Sequence, residues 1–510
     1  MERAEWYNID WMNRARLITY ATLLFHLALC RAEDQAWQTS LSKHLADPKF
    51  SHAEWGIMIK RAADGSVIFA TNEHHALKPA SNAKLLTAAY ALQTLGPEKR
   101  IVTPVFLEGA MASPGEWRGH LVLRGMADPS WASRAMATEM DAFGRIVSLL
   151  TNEGIHKIAG DIILETGAIS GGRWGAHWME SDHPRAYGAE IGAINLLDNA
   201  AEVVITANAS GGTAKVRFSP EIAYLSSTGR VQTLVGTNKE AHVQLDRLED
   251  ERAVRIGGSL TTGLSNWVGL IAVPKPADWA LLLLKDRLHR EGIEILGQVR
   301  TRPMLAVPSQ ADTRPLGAVE SPALTELLRT TLKESQNLYA ECLFRHSGEA
   351  QREGITKSVS SETLARAGLT RFLANLGAST NEFFIDDGSG LSRGGRCSAA
   401  VLTTVINLLM KSQQASWLRE SLPIAGVDGT LRQRHTRAPL KGNLRAKTGT
   451  LRGVASLSGL VRAQSGQILI FSLLLNDNSP NSTMNVRQEI DVFAELMAKY
   501  PGDGLKTATP

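Results

Sequence analysis

The stretch that decides the fold of this chain is ASNAKLLT, residues 80–87. Apolar residues here and just downstream recur at helical spacing, and Gly96-Pro97 marks the predicted end of the helix. Ser81 lies at the first turn, and Lys84 follows at position i+3. Residues i and i+3 share a helix face, so the Lys84 side chain can lie beside the Ser81 hydroxyl. The spacing therefore predicts a serine and a lysine in contact at the start of a helix.

Such a pair suggests nucleophilic catalysis, because a serine hydroxyl attacks well only when a base removes its proton. A neutral lysine is a suitable base, and burial or a neighbouring cation lowers the pKa of a lysine. The pattern is weak on its own, since Ser40 and Lys43 have the same spacing. Residues far downstream must decide between an activated serine and an ordinary helix N-terminus.

The composition is that of a globular protein and argues against several functions. The chain has 510 residues, of which 44% are hydrophobic and 21% charged, so it can form more than one domain. Its formal net charge of +4 is too small to indicate nucleic acid or anionic membrane as a partner. The cysteines have no metal-ligand spacing, and we expect neither a metal nor a cofactor. Cys342 and Cys397 either pair or remain free thiols.

The N-terminus resembles a secretory signal. Arg14 and Arg16 precede an apolar run over residues 17–29, and Ala32 follows as a small residue. The run is too short to span a bilayer comfortably. We predict a signal peptide over residues 1–32, a periplasmic location with loose membrane association left open, and no transmembrane span after cleavage. A buried N-terminal helix and lipidation at Cys30 are the alternatives.

The pattern of predicted strands and helices divides the rest of the chain. Strands over residues 55–60 and 66–70 precede the Ser81 helix, an order typical of an α+β domain. Short strands separated by glycine-rich turns then recur up to about residue 300, which indicates a β-rich insertion. Prolines mark a junction near residue 305. We predict further short strands over residues 101–107, 120–124, 161–165, 202–206 and 215–219.

Two further motifs follow this insertion. Ser335 and Asn337 come after a predicted helix over residues 323–333, where they either act on a substrate or cap a helix. Lys447-Thr448-Gly449 occurs once, in a predicted strand where glycine permits a ligand to approach the backbone closely. A hairpin over residues 456–462 and 467–475 and an amphipathic helix over residues 487–499 complete the predicted fold.

Together the three motifs are typical of penicillin-recognising serine enzymes. The chain closely resembles the low-molecular-mass class C penicillin-binding proteins, the D-alanyl-D-alanine carboxypeptidase/endopeptidase family called peptidase family S13. The stretches that carry the resemblance are residues 79–84, 335–341 (SQNLYAE), 387–393 (DGSGLSR), 422–431 (LPIAGVDGTL) and 447–451 (KTGTL).

The resemblance implies an α+β fold with a penicillin-binding-protein/serine β-lactamase-like transpeptidase domain, in which helices flank an antiparallel sheet. A large β-rich insertion lies between the first two motifs. The implied catalytic domain comprises residues 33–98 and 305–510, and the inserted domain or domains comprise residues 99–304.

The resemblance also implies a role for each catalytic residue. Ser81 forms an acyl-enzyme, Lys84 is its general base, and Ser335 passes the proton to the departing amine. The backbone N–H groups of Ser81 and Thr450 form the oxyanion hole, and Asn337 orients the substrate amide.

Further residues are implied to bind the substrate. Lys447, Thr448 and Thr450 bind the terminal carboxylate, with Gly449 between the two threonines. In the insertion, Asp182 and Tyr187 resemble the family residues that hold the amino-bearing end of a diaminopimelate stem peptide, and Arg393 resembles one that binds a carboxylate of the stem. For these last residues an ordinary surface position is the alternative.

The implied partners are peptidoglycan peptides, with β-lactam antibiotics as covalent inhibitors, and a homodimer is left open. Two other functions remain as hypotheses. A serine β-lactamase of the same fold would need rapid deacylation, and a non-catalytic wall-binding scaffold would have no need of the serine and lysine motifs.

Overall fold

The structure is a computed structural model that describes residues 32–132, 141–304, 313–479 and 483–502. These residues form two compact units. Unit 1 takes its residues from Met1–Leu85, Asn381–Phe383 and Arg396–Pro510, and unit 2 from Leu86–Thr380 and Phe384–Gly395. The predicted signal peptide lies outside the described residues except for Ala32. The predicted domain boundaries near residues 98 and 305 stay predictions.

Helices occur in both units. Residues 32–45 form α1, and the helices that follow it in the described residues are α2 (Ala83–Leu95), α3 (Ala142–Asn152), α4 (Pro276–Arg290), α5 (Leu324–Lys333), α6 (Asn337–Glu349), α7 (Ser361–Asn375), α8 (Ala399–Lys411), α9 (Ala415–Ser421) and α10 (Val486–Ala498). The predicted helices over residues 323–333 and 487–499 are α5, which starts one residue later, and α10, which starts and ends one residue earlier. α1, α3, α7, α8 and α9 match no predicted helix.

Strands also occur in both units, and several are longer than the apolar patterns that predict them. They are β1 (Ala53–Arg61), β2 (Val67–Thr71), β3 (Val102–Ser113), β4 (Glu116–Arg124), β5 (Asp128–Trp131), β6 (Lys157–Ile158), β7 (Ile162–Thr166), β8 (Ile194–Leu196), β9 (Ala200–Thr206), β10 (Gly212–Thr213), β11 (Lys215–Ser219), β12 (Ser226–Gly229), β13 (Gln232–Leu234), β14 (Ala241–Asp246), β15 (Ala253–Thr261), β16 (Asn266–Ala272), β17 (Glu294–Ile295), β18 (Val299–Pro303), β19 (Thr313–Glu320), β20 (Phe383–Phe384), β21 (Arg396–Cys397), β22 (Arg445–Leu451), β23 (Val454–Arg462) and β24 (Ile468–Asp477).

Unit 1 is built on a five-stranded antiparallel sheet with the order β2-β1-β24-β23-β22. Its central strand β24 is a nearly continuous apolar run, because helices cover the sheet on both faces. α8 packs on β1 and β24, and α10 packs on β23 and β24. The apolar side of α10, with Ile490, Phe493 and Met497, is fully buried in the core of this unit. The sheet therefore carries β22, with the Lys-Thr-Gly motif, as one edge strand.

Unit 2 contains several sheets and a group of helices. A seven-stranded mixed sheet has the order β17-β6-β4-β3-β19, with β7 paired to β4 and β18 paired to β7. A three-stranded sheet has the order β11-β9-β16, and a five-stranded sheet joins β10, β13, β15 and β12, with β14 also on β15. α6 packs against both α5 and α7. Five short strands predicted in this region coincide with, or lie within one residue of, parts of β3, β4, β7, β9 and β11.

Cys342 and Cys397 are free and buried, and burial raises the pKa of each thiol. The alternative of two free thiols is therefore the one that the structure supports. In the part of the chain that the structure describes, none of the helices combines the length and the apolar character needed to cross a membrane.

Candidate active site

Ser81 lies in a 3-10 turn, Ala80–Asn82, that leads directly into α2. The helix ends at Leu95, and Gly96 follows with a φ of 83°, in the left-handed region that glycine tolerates at a helix C-terminus. The predicted helix and its end are thus confirmed. Ala80 precedes the serine with a φ of 47°, a conformation that costs an alanine about 1–2 kcal/mol. The turn that presents Ser81 is therefore held by its surroundings.

The Lys84 side chain reaches back to Ser81. Lys84 Nζ donates a hydrogen bond of 2.9 Å to Ser81 Oγ, and the lysine has 0% of its surface exposed. The i and i+3 spacing therefore brings these two side chains together as expected.

The second Ser-x-x-Lys pattern has a different environment. Ser40 and Lys43 lie on exposed positions of α1, and Ser40 Oγ donates a hydrogen bond of 2.6 Å to Trp37 O. Burial of the lysine distinguishes the Ser81 pair from this pair.

The Lys-Thr-Gly motif lies on edge strand β22 of the same unit. Lys447 and Gly449 leave the strand on one face, because side chains alternate along a strand. Lys447 is fully buried, and its Nζ donates a hydrogen bond of 2.9 Å to Thr448 O. A Cβ atom on Gly449 would lie 3.0 Å from Ala80 Cβ and 2.9 Å from Pro79 O. The Gly449 position therefore lets the strand approach the Ser81 turn closely.

The two threonines of the motif lie on the opposite face of β22. Thr448 is buried, and its Oγ1 shares a hydrogen bond of 2.7 Å with Thr430 Oγ1, whereas Thr450 is exposed. Thr430 belongs to the LPIAGVDGTL stretch, which runs beside β22: Ala446 N donates to Pro423 O at 3.0 Å, and Ala425 N donates to Leu444 O at the same distance. This stretch thus hydrogen-bonds to the edge of β22 that is not paired with β23.

The Ser-x-Asn motif belongs to unit 2. Ser335 lies between α5 and α6 with a φ of 61°, and Asn337 is the first residue of α6. Asn337 is buried, and its Nδ2 donates a hydrogen bond of 2.8 Å to Tyr187 O. The helix–helix turn expected at this position is present, and it presents Asn337 towards the Tyr187 segment.

The three weaker site candidates also lie near one another in unit 2. Tyr187 donates its hydroxyl to Asp182 Oδ1 at 2.9 Å, and Asp182 Oδ2 is buried with no hydrogen-bond partner among the described residues. Burial, and then Asp182, raise the pKa of Tyr187, while the cations of Arg185 and Arg393 act in the opposite direction. Asp182 and Tyr187 are thus joined directly, and Arg393 is close enough to Tyr187 to act on its charge.

Glu341 organises the DGSGLSR loop, a role that the sequence pattern does not reveal. It lies one helical turn after Asn337 on α6 and is completely buried. Its Oε1 accepts hydrogen bonds from Gly388 N at 3.1 Å and from Ser389 N at 2.8 Å. A Cβ on Gly388 would lie 2.6 Å from Phe344 Cβ, so only glycine permits this close approach to α6.

Asp387, a residue of this loop, accepts further hydrogen bonds that fix the loop. Its carboxylate accepts from Gly390 N and Trp178 Nε1, each at 2.8 Å, and from Ser389 Oγ and Ser392 N at 2.9 and 3.0 Å. Burial and the nearby Asp387 raise the pKa of Glu341 to about 8. The buried carboxyl of Glu341 therefore keeps its proton at pH values at which an exposed glutamate is ionised, and the segment that carries Arg393 is fixed by carboxyl-to-backbone hydrogen bonds. Glu341 follows Asn337 by four residues, so the two share a face of α6, and this spacing is the one feature of the sequence that indicates a role for Glu341 near the site.

The predicted site residues are therefore divided between the two units. Unit 1 holds Ser81, Lys84, Lys447, Thr448, Gly449 and Thr450, and unit 2 holds Ser335, Asn337, Asp182, Tyr187 and Arg393. Among the described residues there is no group of three or more histidine, cysteine or acidic side chains arranged to hold a metal ion.

Comparison with known proteins gives a consistent result. The model of the D-Ala-D-Ala carboxypeptidase 3 (S13) family matches residues 37–497. The chain is 30% identical over 473 residues to a D-alanyl-D-alanine carboxypeptidase of Actinomadura sp. (strain R39), covering 90% of this chain and 84% of that protein. It is 27% identical over 482 residues to penicillin-sensitive carboxypeptidase A of Dictyostelium discoideum, covering 88% and 87% of the two chains.

A solved structure supports the fold. The crystal structure of penicillin binding protein 4 from Haemophilus influenzae superposes with a TM-score of 0.72 at 24% identity, over 90% of this chain and 98% of that one. The predicted α+β fold of the penicillin-binding-protein type is therefore confirmed.

The raised pKa of Glu341 predicts a pH-dependent stability. The folded state keeps the Glu341 proton up to about pH 8, whereas the unfolded chain loses it near the ordinary glutamate pKa of 4.5. Because the folded state binds this proton more tightly than the unfolded chain, the free energy of unfolding falls as the pH rises between these two values. Glu341→Gln keeps an acceptor for Gly388 N and Ser389 N and removes this titration, so its melting temperature should fall less than that of wild type from pH 5 to pH 8.

The matched control is Glu353→Gln, at an exposed position of the same unit. It should follow the wild-type pH dependence. Parallel curves for wild type and Glu341→Gln would contradict a neutral, buried Glu341.

Proposed function

Since the chain belongs to the D-Ala-D-Ala carboxypeptidase 3 (S13) family, we propose that it is a serine D-alanyl-D-alanine carboxypeptidase and endopeptidase acting on peptidoglycan stem peptides and cross-links. The observation that carries the proposal is the hydrogen bond of 2.9 Å between Lys84 Nζ and Ser81 Oγ, made by a fully buried lysine. The names of the Actinomadura and Dictyostelium relatives support the same class of reaction.

In the proposed reaction, Ser81 Oγ attacks the carbonyl carbon of the penultimate D-alanine while Lys84 takes the hydroxyl proton. The backbone N–H groups of Ser81 and Thr450 stabilise the oxyanion. The C–N bond then breaks, Ser335 passes the proton to the departing amine, and the peptide remains as an ester on Ser81. Water hydrolyses this ester and releases the shortened peptide.

Lys84 is proposed as the base because of its environment. A lysine accepts a proton only in its neutral form, and burial close to other cationic groups favours that form. Lys84 and Lys447 are both fully buried in unit 1. The proposed base thus combines direct contact with the nucleophile and exclusion from solvent.

The remaining residues are proposed to bind the substrate. Lys447, Thr448 and Thr450 bind the terminal carboxylate, while the backbone at Gly449 lies close to the peptide. Asn337 orients the scissile amide. The contact between the Lys447 ammonium and the terminal carboxylate of the substrate would be a charge-assisted hydrogen bond, which is stronger than a hydrogen bond between neutral groups.

The specificity for stem peptides is proposed to come from unit 2. Asp182 receives the ammonium of a diaminopimelate side chain, Tyr187 packs beside it, and Arg393 binds a carboxylate of the same stem. The buried Asp182 Oδ2, which has no hydrogen-bond partner among the described residues, supports this assignment because a buried carboxylate oxygen favours a cation.

β-Lactams are proposed to inhibit the enzyme by acylating the same serine, as the penicillin-sensitive name of the Dictyostelium relative suggests. Export by the predicted signal peptide and a periplasmic location fit a substrate in the cell wall. The homodimer stays a prediction.

Two other functions are distinguishable from this one. A serine β-lactamase would hydrolyse its acyl-enzyme rapidly and release penicilloate, and the large inserted region gives that function no evident advantage. A non-catalytic wall-binding scaffold would not need the whole set of Ser81, Lys84, Ser335, Asn337 and Lys447, all of which are present.

The proposal predicts that a fluorescent penicillin forms a stable covalent adduct with the wild-type chain. Ser81→Ala should abolish the adduct, because it removes the nucleophilic oxygen. Ser40→Ala is the matched control, since Ser40 belongs to the exposed Ser-x-x-Lys pattern. It should label like wild type in a gel-based assay with time points from seconds to hours.

Each other result has a distinct meaning. A well-folded wild type without an adduct would favour the scaffold, and a transient adduct with rapid penicilloate release would favour the β-lactamase. An adduct that persists in Ser81→Ala would contradict Ser81 as the nucleophile.

Asp182 gives a test of substrate specificity. Asp182→Asn should lower kcat/KM about tenfold for a D-Ala-D-Ala peptide with a free side-chain ammonium, because it removes the negative charge that faces the ammonium. The same peptide acetylated on that amine should be unaffected. The control is Glu180→Gln, an exposed acid in the same 3-10 turn. Equal losses for both peptides would refute the specificity role.

A further inference from the structure

A row of buried serine hydroxyls lies on the face of the unit 1 sheet that meets the Ser81 turn. Ser456 and Ser458 interrupt the apolar sequence of β23 at alternate positions, and Ser472 pairs with Ser458 on β24. In the pairing of β22 with β23, Gly449 lies opposite Ser456 and Lys447 lies opposite Ser458. The row therefore continues the Lys-Thr-Gly face into the centre of the sheet.

These hydroxyls bind the turn on both sides of the nucleophile. Ser456 Oγ donates a hydrogen bond of 2.7 Å to Pro79 O, two residues before Ser81. Asn82 Nδ2 donates to Ser458 Oγ at 2.8 Å, and Ser458 Oγ donates in turn to Ser472 Oγ at 2.8 Å. The backbone before Ser81 and the side chain after it are thus tied to the sheet by separate hydrogen bonds.

The burial of the row makes these bonds significant. Asn82, Ser458 and Ser472 have 0% of their surface exposed, and Ser456 has 1%. A buried polar group that loses its partner costs about 1–3 kcal/mol, so an alternative position of the turn is unfavourable. The bonds hold the left-handed conformation of Ala80, which the local sequence does not favour by itself.

The glycine of the Lys-Thr-Gly motif is part of the same arrangement. A Cβ at Gly449 would lie 2.1 Å from Ser456 Oγ. Any larger residue would therefore displace the hydroxyl that binds Pro79 O. The absence of a side chain at Gly449 therefore leaves room for the hydrogen bond from Ser456 Oγ to Pro79 O, in addition to the close approach of a substrate.

We propose that Ser456, Ser458 and Ser472, together with Asn82, are positioning residues that set the orientation of Ser81 Oγ for attack. The inference rests on the proposed function. The hydroxyls act through the turn: they fix the backbone from which both Ser81 and, three residues later, Lys84 project. Small errors in the placement of a nucleophile lower the rate of attack steeply, by about 100-fold for a displacement of about 1 Å.

The test is single-turnover acylation of the full chain by a fluorescent penicillin over a range of concentrations. This separates the first-order acylation rate constant from the dissociation constant of the preceding non-covalent complex. Ser458→Ala and Ser456→Ala each remove one hydroxyl and no larger group. Both should lower the acylation rate constant about tenfold or more while the dissociation constant stays within about twofold of wild type.

The matched control is Ser398→Ala, which removes an equally buried serine of the same unit. Ser398 Oγ caps α8 by accepting from Val401 N at 3.1 Å and donates to Glu382 at 2.8 Å. Its loss should lower the melting temperature and leave the acylation rate constant unchanged. If Ser456 and Ser458 had only a structural role, all three variants would have a lower melting temperature and an unchanged acylation rate constant.

Two results would overturn the inference. One is a wild-type acylation rate constant in both Ser458→Ala and Ser456→Ala. The other is an equal decrease in Ser398→Ala at an equal loss of melting temperature. A wild-type chain that forms no adduct would refute the proposed function and this role with it, whereas normal labelling of wild type beside equally fast variants would refute the positioning role alone.

Discussion

The burial of two lysine side chains is the constraint on which the unit 1 site depends. Lys84 and Lys447 have no exposed surface, and a buried ammonium group is costly unless it is neutralised or hydrogen-bonded. Lys84 donates to Ser81 Oγ and Lys447 donates to Thr448 O. The apolar strands, the flanking helices and the 3-10 turn therefore have to be placed so that each amine meets an oxygen atom. A displacement of the turn would leave Lys84 buried without the hydroxyl.

The local part of this arrangement could be predicted from the sequence. Helical spacing places Lys84 beside Ser81, and the glycine at residue 96 ends the helix. Strand alternation places Lys447 and Gly449 on one face of β22. The same rules also describe Ser40 and Lys43, which are exposed and share none of this environment. Local spacing thus identifies candidates, and burial, which depends on distant residues, selects between them.

The long-range part could not be predicted in the same way. The contact of Asn82 with Ser458 joins residues 376 positions apart, and it exists only because β23 and β24 pair in one register. A shift of register by one residue would turn Ser456 and Ser458 to the other face of the sheet. Glu341 is similar, because its partners lie in a loop 47 and 48 residues downstream. The residue pattern around Glu341 does not indicate which backbone N–H groups of a distant loop will lie beside its carboxyl group.

The most direct test of the central claim is to trap the peptidyl ester on Ser81. A thioester analogue of a stem peptide has a better leaving group than the amide, so its acylation step can outrun deacylation. Acid quenching within milliseconds to seconds, followed by proteolysis and mass spectrometry, locates the acyl group. The account predicts one acyl group, on Ser81. Turnover without any acylated peptide in the quenched samples, or an acyl group on another residue, would contradict it.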